Sequence, residues 1–280
     1  MEKLIELKNV SKSYRKHTVL QNVHTTLFKG ETVAIVGKNG AGKSTFLKLI
    51  GQLAKPTTGS IYIHKPIGMP AFVVEQFPQD LHFSLYSYLC HMGRIQQIPK
   101  KKMKAKIDEL LSTFEMTEFK NEEIASFSKG MKQKVNMMQA LLSSSELLLL
   151  DEPLSGLDAA AQLEVENIFL RLKERGMTII FTCHEERLIQ SVADRVITIG
   201  SQKILRNERI QKVEKLAVIE ANVVINKPIR QLKEKCAKID QHGNQWTFYI
   251  DERYMNELLS ELLAVRANIQ RLYHVEREEK

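Results

Sequence analysis

"GKNGAGKST" spans Gly37 to Thr45 and decides the fold. The pattern is G-x-x-x-x-G-K-[ST], a loop built to wrap phosphate. Gly37, Gly40 and Gly42 let the backbone turn tightly and present its N–H groups inward. Lys38, Asn39 and Ala41 fill the variable positions; Lys38 adds a charge and leaves the loop's fold possible. Lys43 supplies a mobile cation for the β- and γ-phosphates, and the Ser44 hydroxyl, next to Thr45, can ligate Mg²⁺. The context is right on both sides. "ETVAIVG" is a continuous apolar run ending in glycine, as in a strand buried on both faces. "KSTFLKLIGQL" follows with helical spacing, so a helix N-terminus points at the loop.

Upstream, "LIELKNVSKSY" and "VLQNVHTTLF" alternate with the period of strands. Downstream, "TTGSIYI" and "AFVVEQF" are short strands, and about 81–127 carries helical periodicity. "GMKQKVNMMQALL" gives a helix, "ELLLLDEP" a buried strand, and "AQLEVENIFLRLKERG" an amphipathic helix closed by Gly176. "MTIIFTCH" is another buried strand, "EERLIQSVA" a helix, and "RVITIGSQKIL" a hairpin. Alternating strand and helix gives an α/β fold with a mostly parallel sheet. After about residue 207 the pattern changes: "VEKLAVIEANV", "QWTFYID" and "ELLSELLAVRANIQRLYHV" give strands and a helix of a small α+β appendage.

"LLLLDEP", Leu147 to Pro153, ends a buried strand with two carboxylates. Ligands bind beyond the carboxyl ends of parallel strands. Asp151 is placed to hold Mg²⁺, and Glu152 to act as base for an attacking water.

Bulk properties set bounds. A chain of 280 residues with 43% hydrophobic and 26% charged content is a globular protein with room for one large core and a smaller unit. "MEKLIELKNV" lacks the apolar stretch of a signal peptide, and no run of about 18 apolar residues is present. Cys90, Cys183 and Cys236 form no CxxC and suit a reducing cytosol. The net charge is +8. Its densest run, "PKKKMKAK", has no interleaved aromatics and reads as a solvated helix face, so no nucleic-acid partner is expected.

In this order the motifs resemble the ATP-binding subunit of an ABC transporter, over roughly residues 3–206. "SFSKGMKQK" (Ser126 to Lys134) resembles the family's signature LSGGQxQR. Ser128 and Gly130 match it, while Lys129 and Met131 depart from it. "SGLD", ending at Asp158, resembles the D-loop, and His184 the switch histidine. Gln76 resembles the Q-loop glutamine, with Gln79 close by, and Tyr14 the aromatic that stacks on adenine.

The resemblance implies a P-loop NTPase of the ABC ATPase type over 1–206, with a mostly parallel core sheet, an N-terminal antiparallel β subdomain and a helical subdomain at about 81–127. An accessory α+β domain occupies 207–280. It implies ATP and Mg²⁺ as cofactors, with Lys43, Glu152 and His184 catalytic, and Ser44, Gln76 and Asp151 around the metal. Such subunits work in head-to-tail pairs. ATP would lie between the phosphate loop of one copy, or of a homologous ATPase subunit, and the signature of the other. Ser128, as N-cap of a helix beginning at Lys129, would make the second half of that site. Asp158 would tie the two sites together. The other expected partner is an integral membrane transporter subunit, which places the chain in the cytoplasm on the inner face of the membrane, with export as the expected direction.

Other classes fit less well. Ribosome-acting relatives carry two cassettes, and DNA-repair relatives a long coiled coil between the nucleotide motifs. A non-catalytic regulator would not need Lys43, Asp151, Glu152 and His184 together.

Overall fold

The run after Glu31 forms β3 (Thr32–Val36), the centre of the main sheet. The computed structural model describes residues 1–64, 68, 70–143, 145–210, 213–223, 236–251 and 254–278. Two units separate in it, Met1–Ile210 and Gln211–Lys280.

In the first unit the main sheet has six strands in the order β5-β6-β7-β3-β8-β9 among the described residues. These are β5 (Ala71–Val73), β6 (Leu147–Leu150), β7 (Thr178–Thr182), β8 (Arg195–Gly200) and β9 (Lys203–Arg209). All neighbours pair in parallel except the β8–β9 hairpin. That hairpin pairs out to Arg195↔Arg209, which carries the first unit past residue 206.

Every residue of β6 and β7 is buried, because both faces are covered. Alternate residues sort to two cores. Leu148, Leu150, Ile179 and Phe181 face the helical side. Leu147, Leu149 and Ile180 face α1 (Lys43–Ile50) and a second sheet. That second sheet is antiparallel, in the order β2-β1-β4, from β1 (Lys3–Tyr14), β2 (His17–Phe28) and β4 (Thr58–Ile63).

The helical side carries α2 (Leu85–Ile95), α3 (Lys100–Thr113) and α4 (Lys129–Ala140), followed later by α5 (Ala159–Glu174) and α6 (Glu186–Val192). In α3 the buried residues Met103, Ile107, Leu110 and Leu111 recur at helical spacing, while Lys100, Lys101, Lys102 and Lys104 are exposed. No helix among the described residues is long and apolar enough to cross a membrane.

The second unit is a four-stranded antiparallel sheet in the order β11-β12-β10-β13 with one helix. Its elements are β10 (Val213–Asn222), β11 (Cys236–His242), β12 (Gln245–Asp251), α7 (Met255–Ala264) and β13 (Asn268–Glu278). Leu258 and Leu262 of α7 pack on Ile219, Phe248 and Ile250. The stretch "ELLSELLAVRANIQRLYHV" therefore divides into helix and strand. Arg266 takes a left-handed φ of 54°, which ends the helix, and "NIQRLYHV" pairs along β10.

Candidate functional site

Parallel pairing aligns the strand ends. Val73 registers with Leu150, Leu150 with Phe181, and Phe181 with Ala34. One to three residues further along each strand come Glu75, Asp151, Thr182 and Gly37, so the chemistry-bearing positions converge at one edge by register alone.

The phosphate loop sits tightly against its neighbours. A Cβ on Gly37 would lie 2.2 Å from the carbonyl oxygen of Ile199, so only glycine fits. Gly42 has φ 106° and would bring a Cβ within 3.1 Å of Val19. No side chain caps α1 and no acidic residue occupies its first turn. Its leading N–H groups are therefore left for an anion.

Lys43 is buried, and its ammonium has three acceptors. It donates to Gly37 O at 2.9 Å and to His184 Nε2 at 2.9 Å, and it lies 3.3 Å from Glu152 Oε1. Glu152 Oε1 is also 3.1 Å from His184 Nε2. Cation, base and histidine form one cluster, although they come from α1 and the ends of β6 and β7.

Thr182 fixes the acidic pair. Its hydroxyl accepts from the Glu152 backbone N–H at 2.7 Å and donates to Asp151 Oδ1 at 2.9 Å. Glu152 adopts φ 49°, a left-handed conformation that non-glycine residues seldom take. The strained backbone turns its side chain back toward Lys43, and the Thr182 bond holds it there.

These groups border a cleft of about 460 Å³. Asn39, Gly40, Gly42, Lys43, Ser44, Thr45, Glu152 and His184 line it. Gly37, Lys38 and Ala41 line a neighbouring cleft on the β8 side of the loop. Asp151 lies behind, buried, with Oδ1 on Thr182.

Other sequence-derived candidates lie elsewhere. Gln76 lines an adjoining cleft of about 290 Å³, together with Gln79, while Glu75 borders both clefts. Tyr14 is exposed at the end of β1, with the Lys12 ammonium 4.8 Å from its ring centre, and it does not line the cleft; Val19 does. Ser128 caps α4, its Oγ accepting from Met131 N–H at 3.2 Å. A Cβ on Gly130 would lie 2.8 Å from Ala161 Cβ, so its small size lets α4 approach α5. Asp158 caps α5, accepting from Ala161 N–H at 2.8 Å. Ser128, Gly130 and Asp158 do not line the cleft of the phosphate loop of their own chain.

Sequence reading gave no role to Thr182, Val19 or Glu75, and none to Ser155 beyond its place at the head of "SGLD". Thr182 had a signal: it is a polar residue at the end of the apolar run "IIFT".

The family model described as ABC transporter matches residues 20–155. The arginine transport ATP-binding protein ArtM of Bacillus subtilis (strain 168) is 34% identical over 217 residues, covering 73% of this chain and 90% of that protein. The macrolide export ATP-binding/permease protein MacB of Salmonella typhimurium is 32% identical over 248 residues, covering 81% of this chain and 38% of that protein. Among solved structures, the dimeric bacterial ABC transporter cassette MJ0796 superposes with a TM-score of 0.65 at 26% identity, over 74% of this chain and 98% of that one. Loop, acidic strand end and strand-end histidine in one cleft, on a fold shared with those cassettes, place this chain among the ATP-binding, ATP-hydrolysing subunits of ABC transporters.

Proposed function

We propose that the chain powers export through a separate membrane subunit, by ATP-driven pairing of two cassettes and their release on hydrolysis. The observation that carries the hydrolytic part is the Lys43–Glu152–His184 cluster. Lys43 divides its donors between the loop carbonyl and the other two side chains. A γ-phosphate that engages Lys43 competes with Glu152 for the ammonium, and the freed carboxylate can take a proton from water. His184 then faces the same phosphate, to which a ring N–H can donate.

The donor set fits Mg²⁺ held mainly by nucleotide oxygens. Among the described residues no group of three or more His, Cys, Asp or Glu forms a protein-only cage. Mg²⁺ keeps waters and needs only one or two protein ligands beside phosphates. Ser44 and the Asp151 carboxylate would supply them, with Gln76 reaching from the adjoining cleft. The ion would neutralise charge building on the phosphates.

Pairing is supported by the placement of Ser128. It caps a helix N-terminus and does not line the cleft of its own phosphate loop, which favours a nucleotide held by a second chain. Asp158, the N-cap of α5, whose Ala161 packs against Gly130, would pass closure from one site to the other. Tyr14 would reach adenine from the sheet end. Export is supported by the short helical segment, by the S-K-G-M form of the signature, and by the reach of the MacB match beyond the cassette.

Glu152→Gln tests the mechanism. With ATP it forms a stable dimer on size exclusion and hydrolyses almost nothing. Hydrolysis at the wild-type rate would remove Glu152 as the base. Tagged purification from membranes tests the transport reading: an integral membrane protein should accompany the chain, whereas ribosomes or nucleic acid in its place would reject it.

A further inference from the structure

The cleft beside the nucleotide cleft is built like an oxyanion site. It lies between the segment after β5, the first turns of α4 and the turn after β6, and it shares Glu75, Glu152 and Ser155 with the nucleotide cleft. Lys129, Lys132 and Gln133 line it from α4.

Gln133 brings an unmet donor, and neither lysine has an ion-pair partner among the described residues. Lys132 is buried, and among the described residues its ammonium donates to Gln79 Oε1 at 3.5 Å. A buried ammonium without a close acceptor is costly. The contrast with Lys134 is direct: equally buried, it holds Glu164 at 2.8 Å. Gln133 is 7% exposed, and its Nε2 has no hydrogen-bond partner. Its amide cannot simply be reversed. Asn136 Nδ2 donates to Val74 O at 2.8 Å and Asn136 Oδ1 accepts from Gln139 Nε2 at 3.0 Å. Asn136 therefore presents Nδ2 to Gln133 Oε1, and the Gln133 Nε2 side is left over. Lys129 occupies the first position of α4, where a cation opposes the helix dipole. It has no ion-pair partner among the described residues, and its ammonium rests on Gly156, where a Cβ would lie 2.0 Å away.

We propose that Lys129, Lys132 and the Gln133 amide form a phosphate subsite that receives inorganic phosphate as it leaves the nucleotide cleft. The two carboxylates stand on the shared side. Glu152 is already neutralised by Lys43, so the charge falls from acidic to basic away from the nucleotide. This rests on the reading that ATP is hydrolysed in the neighbouring cleft.

The test is single turnover of the full-length protein with Mg²⁺-ATP. ADP formation is followed by rapid quench and phosphate release by a fluorescent phosphate-binding reporter. Steady-state turnover is also titrated with potassium phosphate against potassium chloride at equal ionic strength. In the wild type, phosphate release should trail ADP formation and added phosphate should inhibit. In Lys132→Met and Lys129→Gln phosphate release should no longer trail ADP formation measured in the same variant, whatever its rate, and the inhibition constant should rise at least fivefold. Lys129 is exposed, so its variant keeps the test valid if Lys132→Met fails to fold. An unchanged lag and inhibition constant in Lys129→Gln overturns the subsite. Weakened inhibition with no lag in the wild type supports the subsite but overturns the product as its source, leaving phosphate from solution. Absence of ADP formation in the wild type rejects hydrolysis itself, a result distinct from all of these.

Discussion

The Thr182 hydroxyl stands between the two carboxyl-bearing residues that follow β6, accepting from the backbone of Glu152 and donating to the side chain of Asp151. One side chain on β7 thereby sets the positions of the two acidic residues expected to serve metal and water. Removing the hydroxyl leaves a buried donor and a buried acceptor unmet, at about 1–3 kcal/mol each. Thr182→Val should lower ATPase turnover by roughly a hundredfold, as for a catalytic group misplaced by about 1 Å. Thr182→Ser, which keeps the bonds, should stay near wild type. Equal activity of the two variants would show that the hydroxyl positions nothing.

Lys43→Ala removes a cation that also organises Glu152 and His184. Charge-assisted hydrogen bonds contribute about 1.5–3 kcal/mol, so ATP should bind roughly ten- to a hundredfold more weakly. Equilibrium dialysis with labelled ATP measures this. Undiminished affinity would sink the phosphate-loop assignment.

Gly37 and Gly40 separate steric fit from backbone strain. At Gly37 an added Cβ would meet the Ile199 carbonyl at 2.2 Å, and backbone cannot yield as a side chain can. Gly40 has φ 78° and nothing within 4 Å, so alanine there carries only the left-handed penalty of about 1–2 kcal/mol. Gly37→Ala should abolish ATP binding and lower Tm, and Gly40→Ala should weaken binding modestly. The reverse order would contradict the seating of the loop on β8.

The Glu31–Arg195 pair, at 2.7 Å and almost fully buried, ties the start of β3 to the start of β8. Arg195 also donates to Thr26 O and to Asn207 Oδ1. Arg195→Met strands a buried carboxylate and should cost about 3–5 kcal/mol. For a unit of this size that is a fall in Tm of about 10 °C. Adding Glu31→Gln should restore part of the loss, and a single variant that melts like the wild type would refute the pair's role.

Cys183, buried between the β7 strand end and His184, has its thiol pushed well up by burial and then by its hydrogen bond to Glu185. The reactive thiolate is correspondingly scarce at pH 8. Iodoacetamide should modify Cys90 well before Cys183 in the folded protein, and all cysteines at similar rates in guanidinium. Early modification of Cys183 would show that the β7 end opens readily.

The phosphate loop, the acidic strand end and the strand–helix alternation were legible because each is local. Glycine freedom, a helix N-terminus and apolar runs are written in adjacent residues. The same holds for Ser128, whose capping bond spans three residues. The helix-to-strand change near Arg266 was not legible, because a run with mixed period becomes a strand only when β10 is there to pair with it.

What tertiary structure alone decided is which distant residues meet. The order β5-β6-β7-β3 brings Glu75, Glu152, His184 and Lys43 to one cleft, and it leaves Tyr14 and Gln76 off that cleft's lining. Thr182 joins Asp151 and Glu152 across 31 and 30 residues, and no local pattern encodes such a bond. The unmet donor of Gln133 likewise arises only after packing removes water from it. Sequence determined the local chemistry of each motif. Strand register determined which of those motifs share a site, because parallel pairing is a relation between segments that the chain keeps far apart.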